Sequence, residues 1–216
     1  MDEEKLLILC RALAELECLQ TVDFGNDQLN EHCGYAFQEL FEISNSVCNL
    51  ELESNDLNIE VLTTLGTSLK TCKHNTLEYL GLARNPLNDD ALHALISAIL
   101  GTKHVSHLNL KGCRNISEVG ISCSLASELI TKHEPLLKLD ISGIPLTSAA
   151  ADEIIIALTK NQKIIEFNCC GCELDEETDI DVNVLMQRNK YCAENYFVGN
   201  ESIPNDEIEQ WLNRMK

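Results

Sequence analysis

The residues best suited to metal chemistry are three cysteines within four positions, Cys169, Cys170 and Cys172. Thiolates at this spacing bind zinc when further Cys or His ligands complete a tetrahedral site. No second C-x-x-C accompanies them, and the six histidines show no metal-binding spacing. We therefore expect no metal site, with Cys169 and Cys172 packed as small apolar residues in a core.

A run of carboxylates follows these cysteines: Glu173, Asp175, Glu176, Glu177, Asp179 and Asp181. Such a run could bind Ca²⁺, but it lacks the alternating ligand loop and the glycine of a calcium site. Acids at a helix N-terminus, where they favour the helix dipole, are the simpler interpretation. The chain also has no nucleophile elbow and no glycine-rich phosphate loop. We therefore predict no catalytic residues, no cofactor and no small-molecule substrate.

These residues fall on a repeat that organises the chain. Residues 77–87 have the pattern L-x-x-L-x-L-x-x-N-x-L, and it recurs every 28 to 31 residues. The copies begin at Leu19, Val47, Leu77, Val105, Leu136 and Ile164, with a degenerate copy at Cys192. The L-x-L core alternates with period two, which predicts a short strand with one buried face. Helical spacing follows in each copy, so we predict an α/β solenoid stabilised by stacking of neighbouring repeats.

The predicted helices cover residues 35–43, 60–69, 90–100, 118–129, 148–158 and 181–186, with Ser148 as an N-cap. An amphipathic helix over 3–17 caps the first repeat through Leu6, Leu7, Leu9, Leu13 and Leu16. A closing helix is predicted over 205–215. We thus expect one domain over 1–216. It comprises an N-terminal helical cap (1–18), six repeats (19–191), and a degenerate repeat with a helical cap (192–216).

The strand cores, the near-28-residue period and the ending Ala157-Leu158-Thr159-Lys160-Asn161-Gln162-Lys163-Ile164 resemble the ribonuclease-inhibitor-like leucine-rich repeats. This family includes the ribonuclease inhibitor, the Ran GTPase-activating proteins, the tropomodulins and ciliary regulatory-complex subunits. Cys113-Arg114-Asn115-Ile116 is more similar to the cysteine-containing repeats of F-box proteins. The resemblance implies a horseshoe arc of six to seven repeats, with strands on the concave face and helices on the convex face. Ile144 departs from the pattern, because it replaces the Asn or Cys of its repeat.

In such an arc the side chains between the buried strand positions point outward from the concave face. The third repeat position is occupied by Thr21, Asn49, Tyr79, His107, Lys138, Glu166 and Glu194. The centre of this face combines an aromatic ring with four basic or titratable groups, at Tyr79, Arg84, His107, Lys111 and Lys138. Because Tyr and Arg are favoured anchors of protein interfaces, we predict that these five residues bind a partner protein. The alternative is ordinary solvated strand surface.

Composition narrows the class of partner. The chain has 35 acidic and 16 basic residues and a formal net charge of −19, which disfavours nucleic-acid binding. No apolar run approaches the roughly 20 residues of a membrane span, and no signal peptide is evident. Eleven cysteines, an odd count that follows the repeat, indicate free thiols in a reducing compartment. The expectation is an acidic cytoplasmic protein, whose charge either attracts basic partners or only keeps it soluble.

The functional prediction is a non-enzymatic scaffold that binds another protein through its concave face, in a cytoskeletal or ciliary complex. Two alternatives stay open. One is a GTPase-activating protein of the Ran-activator type, since those proteins use a loop arginine and Arg84 lies at a strand end. The other is a substrate adaptor of a ubiquitin ligase.

Overall fold

A computed structural model describes residues 2–30, 33–72 and 76–195. Six short strands form one parallel sheet in sequential order: β1 Thr21–Asp23, β2 Asn49–Glu51, β3 Tyr79–Gly81, β4 His107–Asn109, β5 Lys138–Asp140 and β6 Glu166–Asn168. The α-helices are α1 Glu3–Ala14, α2 Gly34–Ile43, α3 Ile59–Thr71, α4 Asp89–Ile99, α5 Ser148–Lys160 and α6 Glu176–Asn195, and a π-helix spans Gly120–Ile130 between β4 and β5. The predicted α/β solenoid is confirmed. None of the described helices is long and apolar enough to cross a bilayer.

The strand register follows the repeat period without a slip. Tyr79 pairs with Asn49 on one side and His107 on the other, and His107 pairs with Lys138. The central residue of every strand is buried against the helices: Val22, Leu50, Leu80, Leu108, Leu139 and Phe167. A one-residue slip would turn these side chains to solvent, so the period-two burial fixes the register.

Asn or Cys side chains at the ends of β2, β3, β4 and β6 donate hydrogen bonds to buried backbone groups. Asn85 is 2% exposed; its Nδ2 donates to Leu52 O at 2.9 Å and Leu82 O at 3.0 Å, and its Oδ1 accepts from Leu57 N at 3.3 Å. Each such asparagine therefore joins its own repeat to the preceding one. At the equivalent place Cys113 donates its S–H to Leu82 O at 3.3 Å, and burial raises the pKa of this thiol to about 11.

The helix ends carry a second set of bonds between repeats, made by residues that lie three positions before the repeats starting at 136, 164 and 192. His133 Nε2 lies 2.8 Å from Val105 O, and Asn161 Nδ2 donates to Ile130 O at 2.7 Å. In the last described repeat Asn189 donates to Ile164 O at 2.7 Å. The adjacent Arg188, 3% exposed, donates to the carbonyl oxygens of Leu158, Thr159 and Asn161, which places a positive charge at the end of α5.

One helix differs from the expectation. Residues 118–129 were predicted as an ordinary helix, but Gly120–Ile130 is a π-helix, with Ser127 and Thr131 hydroxyls donating five residues back to the Ser122 and Ala126 carbonyls. The repeat from Val105 to Leu136 is 31 residues long, whereas both neighbouring repeats have 28. A wider helical turn takes up these extra residues without displacing the flanking strands.

The ends of the chain also refine the sequence prediction. Helix α1 buries Leu6, Cys10 and Ala14, while Leu9 and Leu16 from the predicted face are exposed. The N-cap of α5 is Thr147, whose side chain accepts from Ala150 N, rather than Ser148. Cys192, the predicted start of the degenerate copy, is buried but lies inside α6, so residues 192–195 are helical. The predicted closing helix over 205–215 lies outside the described residues.

Removal of the Asn85 side chain tests how much the side-chain hydrogen bonds at the strand ends stabilise the fold. We expect Asn85→Ala to lower the free energy of unfolding by about 2–3 kcal/mol, because buried N–H and C=O groups lose their partners. Asn85→Cys should lose less, since Cys113 serves as a donor at the same place one repeat later. Urea unfolding measures both. Asn45→Ala, at an exposed position between α2 and β2, is the control and should change stability by less than about 0.5 kcal/mol.

His133 gives the fold a pH dependence. It is 3% exposed, and burial lowers its pKa below the ordinary value of about 6.5, with the hydrogen bond to Val105 opposing that shift. Below pH 6.5 the unfolded chain therefore takes up a proton that the folded chain does not. The contribution of His133 to the free energy of unfolding is therefore complete above this pH and decreases as the pH drops towards the pKa of the folded state. His133→Asn keeps a donor to Val105 O and should make the free energy of unfolding less dependent on pH in this range. Unfolding measurements between pH 5 and pH 7 test this, and the same pH dependence in both proteins would disprove it.

Candidate functional site

The five predicted interface residues lie on the concave strand face, and the structure separates them into two groups. Tyr79, His107 and Lys138 sit side by side on β3, β4 and β5. Arg84 and Lys111 lie beyond the ends of β3 and β4, where Arg84 N donates to Lys111 O at 2.7 Å. The five residues therefore do not form one continuous patch of basic groups.

The first group lines a small cavity of about 170 Å³. Its other polar walls are Asn109, Asp140, Glu166 and Asn168. Lys138 Nζ lies 3.0 Å from Glu166 Oε2, and Asn168 Nδ2 donates to Asp140 Oδ2 at 2.8 Å. The cavity thus carries paired charges and fixed hydrogen-bond groups, which suits a polar side chain of a partner better than a free ion.

His107 is held neutral in this cavity. Burial lowers its pKa first, and the neighbouring Lys138 ammonium lowers it further, with Glu78 and Glu166 opposing. Its Nδ1 lies 2.7 Å from Ser106 Oγ. A neutral imidazole donates one hydrogen bond and accepts one. At neutral pH His107 can therefore offer a partner a hydrogen bond rather than a positive charge.

Tyr79 links the two groups. Its hydroxyl donates to Glu51 Oε2 at 2.6 Å on β2 and accepts from Asn109 Nδ2 at 3.4 Å on β4. Burial and the Glu51 carboxylate raise the pKa of Tyr79 to about 12, so the phenol stays protonated. The ring is fixed across three strands, and a fixed aromatic ring loses little entropy when a partner packs on it.

The second group lies beside an acidic cavity of about 460 Å³ at the ends of β1 to β3. Arg84 lines it together with Asp23, Glu51 and Glu53, and Arg84 Nη1 lies 3.1 Å from Glu53 Oε1. Both partners are more than a third exposed, so the ion pair itself adds little stability. The ammonium of Lys111 contacts no carboxylate within the described part of the chain.

Arg84 adopts a backbone conformation that disfavours its side chain. The residue after each strand turn is left-handed in all six repeats: φ is 58° at Asn26, 56° at Ser54, 55° at Arg84, 69° at Gly112, 72° at Gly143 and 73° at Gly171. Glycine accepts this conformation freely, whereas a long side chain does so at a cost of about 1 kcal/mol. Because this conformation is strained for a long side chain, the presence of arginine here suggests that residue 84 has a function.

The acidic partners of these residues were not part of the predicted interface. Glu51, Glu53 and Glu166 stand at known positions of the repeat, one repeat away from Tyr79, Arg84 and Lys138 respectively. The sequence therefore predicts which repeat positions lie next to each other. It does not predict which side chains bond, because that depends on the rotamers adopted on neighbouring strands.

The cysteines and acids singled out in the sequence have structural surroundings. Cys169 and Cys172 are buried, Cys170 is exposed, and burial raises the pKa of the Cys169 thiol to about 12. Asp175 Oδ1 accepts from Thr178 N at 2.8 Å, which lowers the pKa of this carboxyl, and the following acids occupy the first turn of α6. Over residues 2–30, 33–72 and 76–195, His, Cys, Asp and Glu side chains form no group that could hold a metal ion.

Comparison with known proteins supports the fold. The chain is similar to the solved structure of actin-binding site 2 of leiomodin-1, with 14% sequence identity, a TM-score of 0.51, and coverage of 100% of this chain and 99% of that one. It is also similar to the C-terminal domain of tropomodulin from Caenorhabditis elegans, with 15% identity, a TM-score of 0.56, and coverage of 90% and 96%. No protein-family model and no curated protein matches the sequence significantly. At this identity the likeness establishes a leucine-rich-repeat solenoid and nothing further.

Arg84→Gly tests the conformational argument. We expect the free energy of unfolding to rise by up to about 0.5 kcal/mol, because relief of about 1 kcal/mol of left-handed strain exceeds the cost of about 0.5–1 kcal/mol from the greater entropy of an unfolded glycine. Ser54→Gly, at the same place one repeat earlier, should behave alike. Arg114→Gly, exposed and with an ordinary φ, is the control and should lower stability. Thermal and urea unfolding measure all three, and destabilisation by Arg84→Gly would remove the basis for assigning Arg84 a function.

Proposed function

We propose that this protein is a non-enzymatic interaction module that binds another protein through its concave strand face, within a cytoskeletal assembly. The central contacts are Tyr79 and Arg84, with His107, Lys111 and Lys138 around them. The observation that carries the proposal is Arg84, which stands at φ 55° where the three following repeats have glycine. The ion pair of Arg84 with Glu53 is solvent-exposed and adds little stability, so a role in binding better explains a long side chain at this strained position.

The chemistry of the face supports a protein partner over a small ligand. The 170 Å³ cavity is smaller than a typical ligand pocket of roughly 300–1,000 Å³. The 460 Å³ cavity beside Arg84 is large enough, but its described lining has no apolar side chain, whereas ligand pockets are mostly apolar. Tyr79 and Arg84 are of the residue types enriched in interface hot spots. The ion pairs Arg84–Glu53 and Lys138–Glu166 are solvent-exposed, so a partner can exchange them for contacts of its own at little free-energy cost.

Actin is the first partner to test. The solved structure of leiomodin-1 that shares this fold is described as an actin-binding site. The likeness covers nearly all of both chains, which supports testing the same partner first. Actin binding is our proposal for this chain, and the fold by itself admits other protein partners.

The experiment compares the wild-type protein with Tyr79→Ala/Arg84→Glu/Lys138→Glu in binding to monomeric and filamentous actin, by calorimetry and cosedimentation. Loss of two hot-spot side chains and reversal of two charges should weaken binding at least about hundredfold. Lys103→Glu/Lys160→Glu reverses two exposed charges outside the strands and serves as the control. It should bind as the wild type does.

Two outcomes would contradict the proposal in different ways. If neither form of actin binds, actin is wrong, and affinity capture from cell extract with the same variants tests for another partner on this face. If a partner binds wild type and triple variant equally, while unfolding shows both to be folded, the concave face is wrong. Capture of a small GTPase that depends on Arg84 would instead favour the GTPase-activator alternative.

A further inference from the structure

A second surface lies on the helical side, at the N-terminal end of the solenoid. A groove of about 520 Å³ opens between the starts of three helices. Its lining residues come from α1, α2 and α3: Glu3, Gly34, Tyr35, Ile59, Glu60, Thr63 and Thr64. None of these residues belongs to the strand face.

The groove exists because the start of α2 lies close against α3. A Cβ atom at Gly34 would stand 2.9 Å from the Thr64 Cβ, so only glycine permits this approach. Gly34 therefore sets the close spacing of α2 and α3, the two helices that supply Tyr35 and Ile59 to the groove.

The edges of the groove are apolar and exposed. Tyr35 is 67% exposed and Ile59 43% exposed. Of the eleven large hydrophobic residues exposed in the described part of the chain, six lie between residues 8 and 59: Ile8, Leu9, Leu16, Tyr35, Ile43 and Ile59. An aromatic ring and an aliphatic side chain on either side of a groove are the features of a docking site for apolar side chains.

The charge around the groove has one sign. Glu3 and Glu60 line it, and no Lys, Arg or His is among the described lining residues. Residues 1–46 contain ten acids and only two bases, Lys5 and Arg11. Both bases are already paired, Lys5 with Asp2 at 3.0 Å and Arg11 with Glu39 at 2.9 Å. The carboxylates at the groove therefore keep their charge available for a cationic partner.

We propose that this groove binds a basic amphipathic segment of another protein, with its apolar side chains between Tyr35 and Ile59 and its Lys or Arg residues beside Glu3 and Glu60. The volume accommodates bulky side chains, and the opening to solvent suits a segment that continues beyond the groove. Apolar contact supplies the affinity, and the carboxylates select basic segments over acidic ones. This site is separate from the concave face and does not depend on the function proposed for that face.

The test uses the full chain and a fluorescent amphipathic peptide of leucine and lysine, about 18 residues long, with leucines on one helical face and lysines on the other. Tyr35→Ala/Ile59→Ser should weaken binding at least about tenfold, because the buried apolar contact is lost. Glu60→Lys should weaken it too, by an amount that shrinks as salt is raised. A peptide with glutamate in place of lysine should not bind.

The controls separate this groove from general attraction to an acidic protein. Ile156→Ser and Glu153→Lys change an equally exposed isoleucine and an exposed glutamate on α5, and both should bind the peptide as the wild type does. Tyr79→Ala/Arg84→Glu, on the concave face, should also leave the peptide affinity unchanged. Amide NMR shifts should concentrate in residues 34–36 and 59–64. Equal losses in groove and control variants, or shifts centred on the strands, would overturn the proposal.

Discussion

The backbone groups at the end of each strand are the constraint on which the rest of the structure depends. There the chain leaves a buried strand and turns towards a helix, and carbonyl groups such as those of Leu52 and Leu82 accept hydrogen bonds from side chains. Asn55 and Asn85 bond to these groups in two consecutive repeats at once. Each repeat is thus completed by its neighbour, which is why a solenoid of such units is stable only as a stack. Where cysteine replaces asparagine, a buried S–H still donates to the preceding repeat.

The same turn divides the concave face into two halves. In the first three repeats the left-handed residue carries a side chain, whereas in the next three it is glycine. A side chain therefore stands at this position beyond β1, β2 and β3, and glycine stands there beyond β4, β5 and β6. Arg84 is the last of the three side chains, with its Cγ 3.3 Å from where a Cβ on Gly112 would be.

Charge is distributed unequally between the two faces of the protein. On the concave face carboxylates pair with Arg84, Lys138 and the Tyr79 hydroxyl, so much of the charge is compensated. At the N-terminal helical groove the carboxylates lack such partners among the described residues, and apolar side chains lie beside them. The two surfaces thus differ in chemistry and lie on different faces of the protein.

The sequence alone determined the repeat, the strand register and the buried positions. A period of about 28 residues together with period-two alternation permits one way of stacking, and the third-position residues from Thr21 to Glu166 lie where they were predicted. Only the tertiary structure decided three other matters. The extra residues of the fourth repeat belong to a π-helix, and Tyr79 and Arg84 pair with Glu51 and Glu53. A groove lies beside Gly34. The reason is physical: burial is set by periodicity within the chain, whereas side-chain pairing and unfilled space are set by how neighbouring repeats meet.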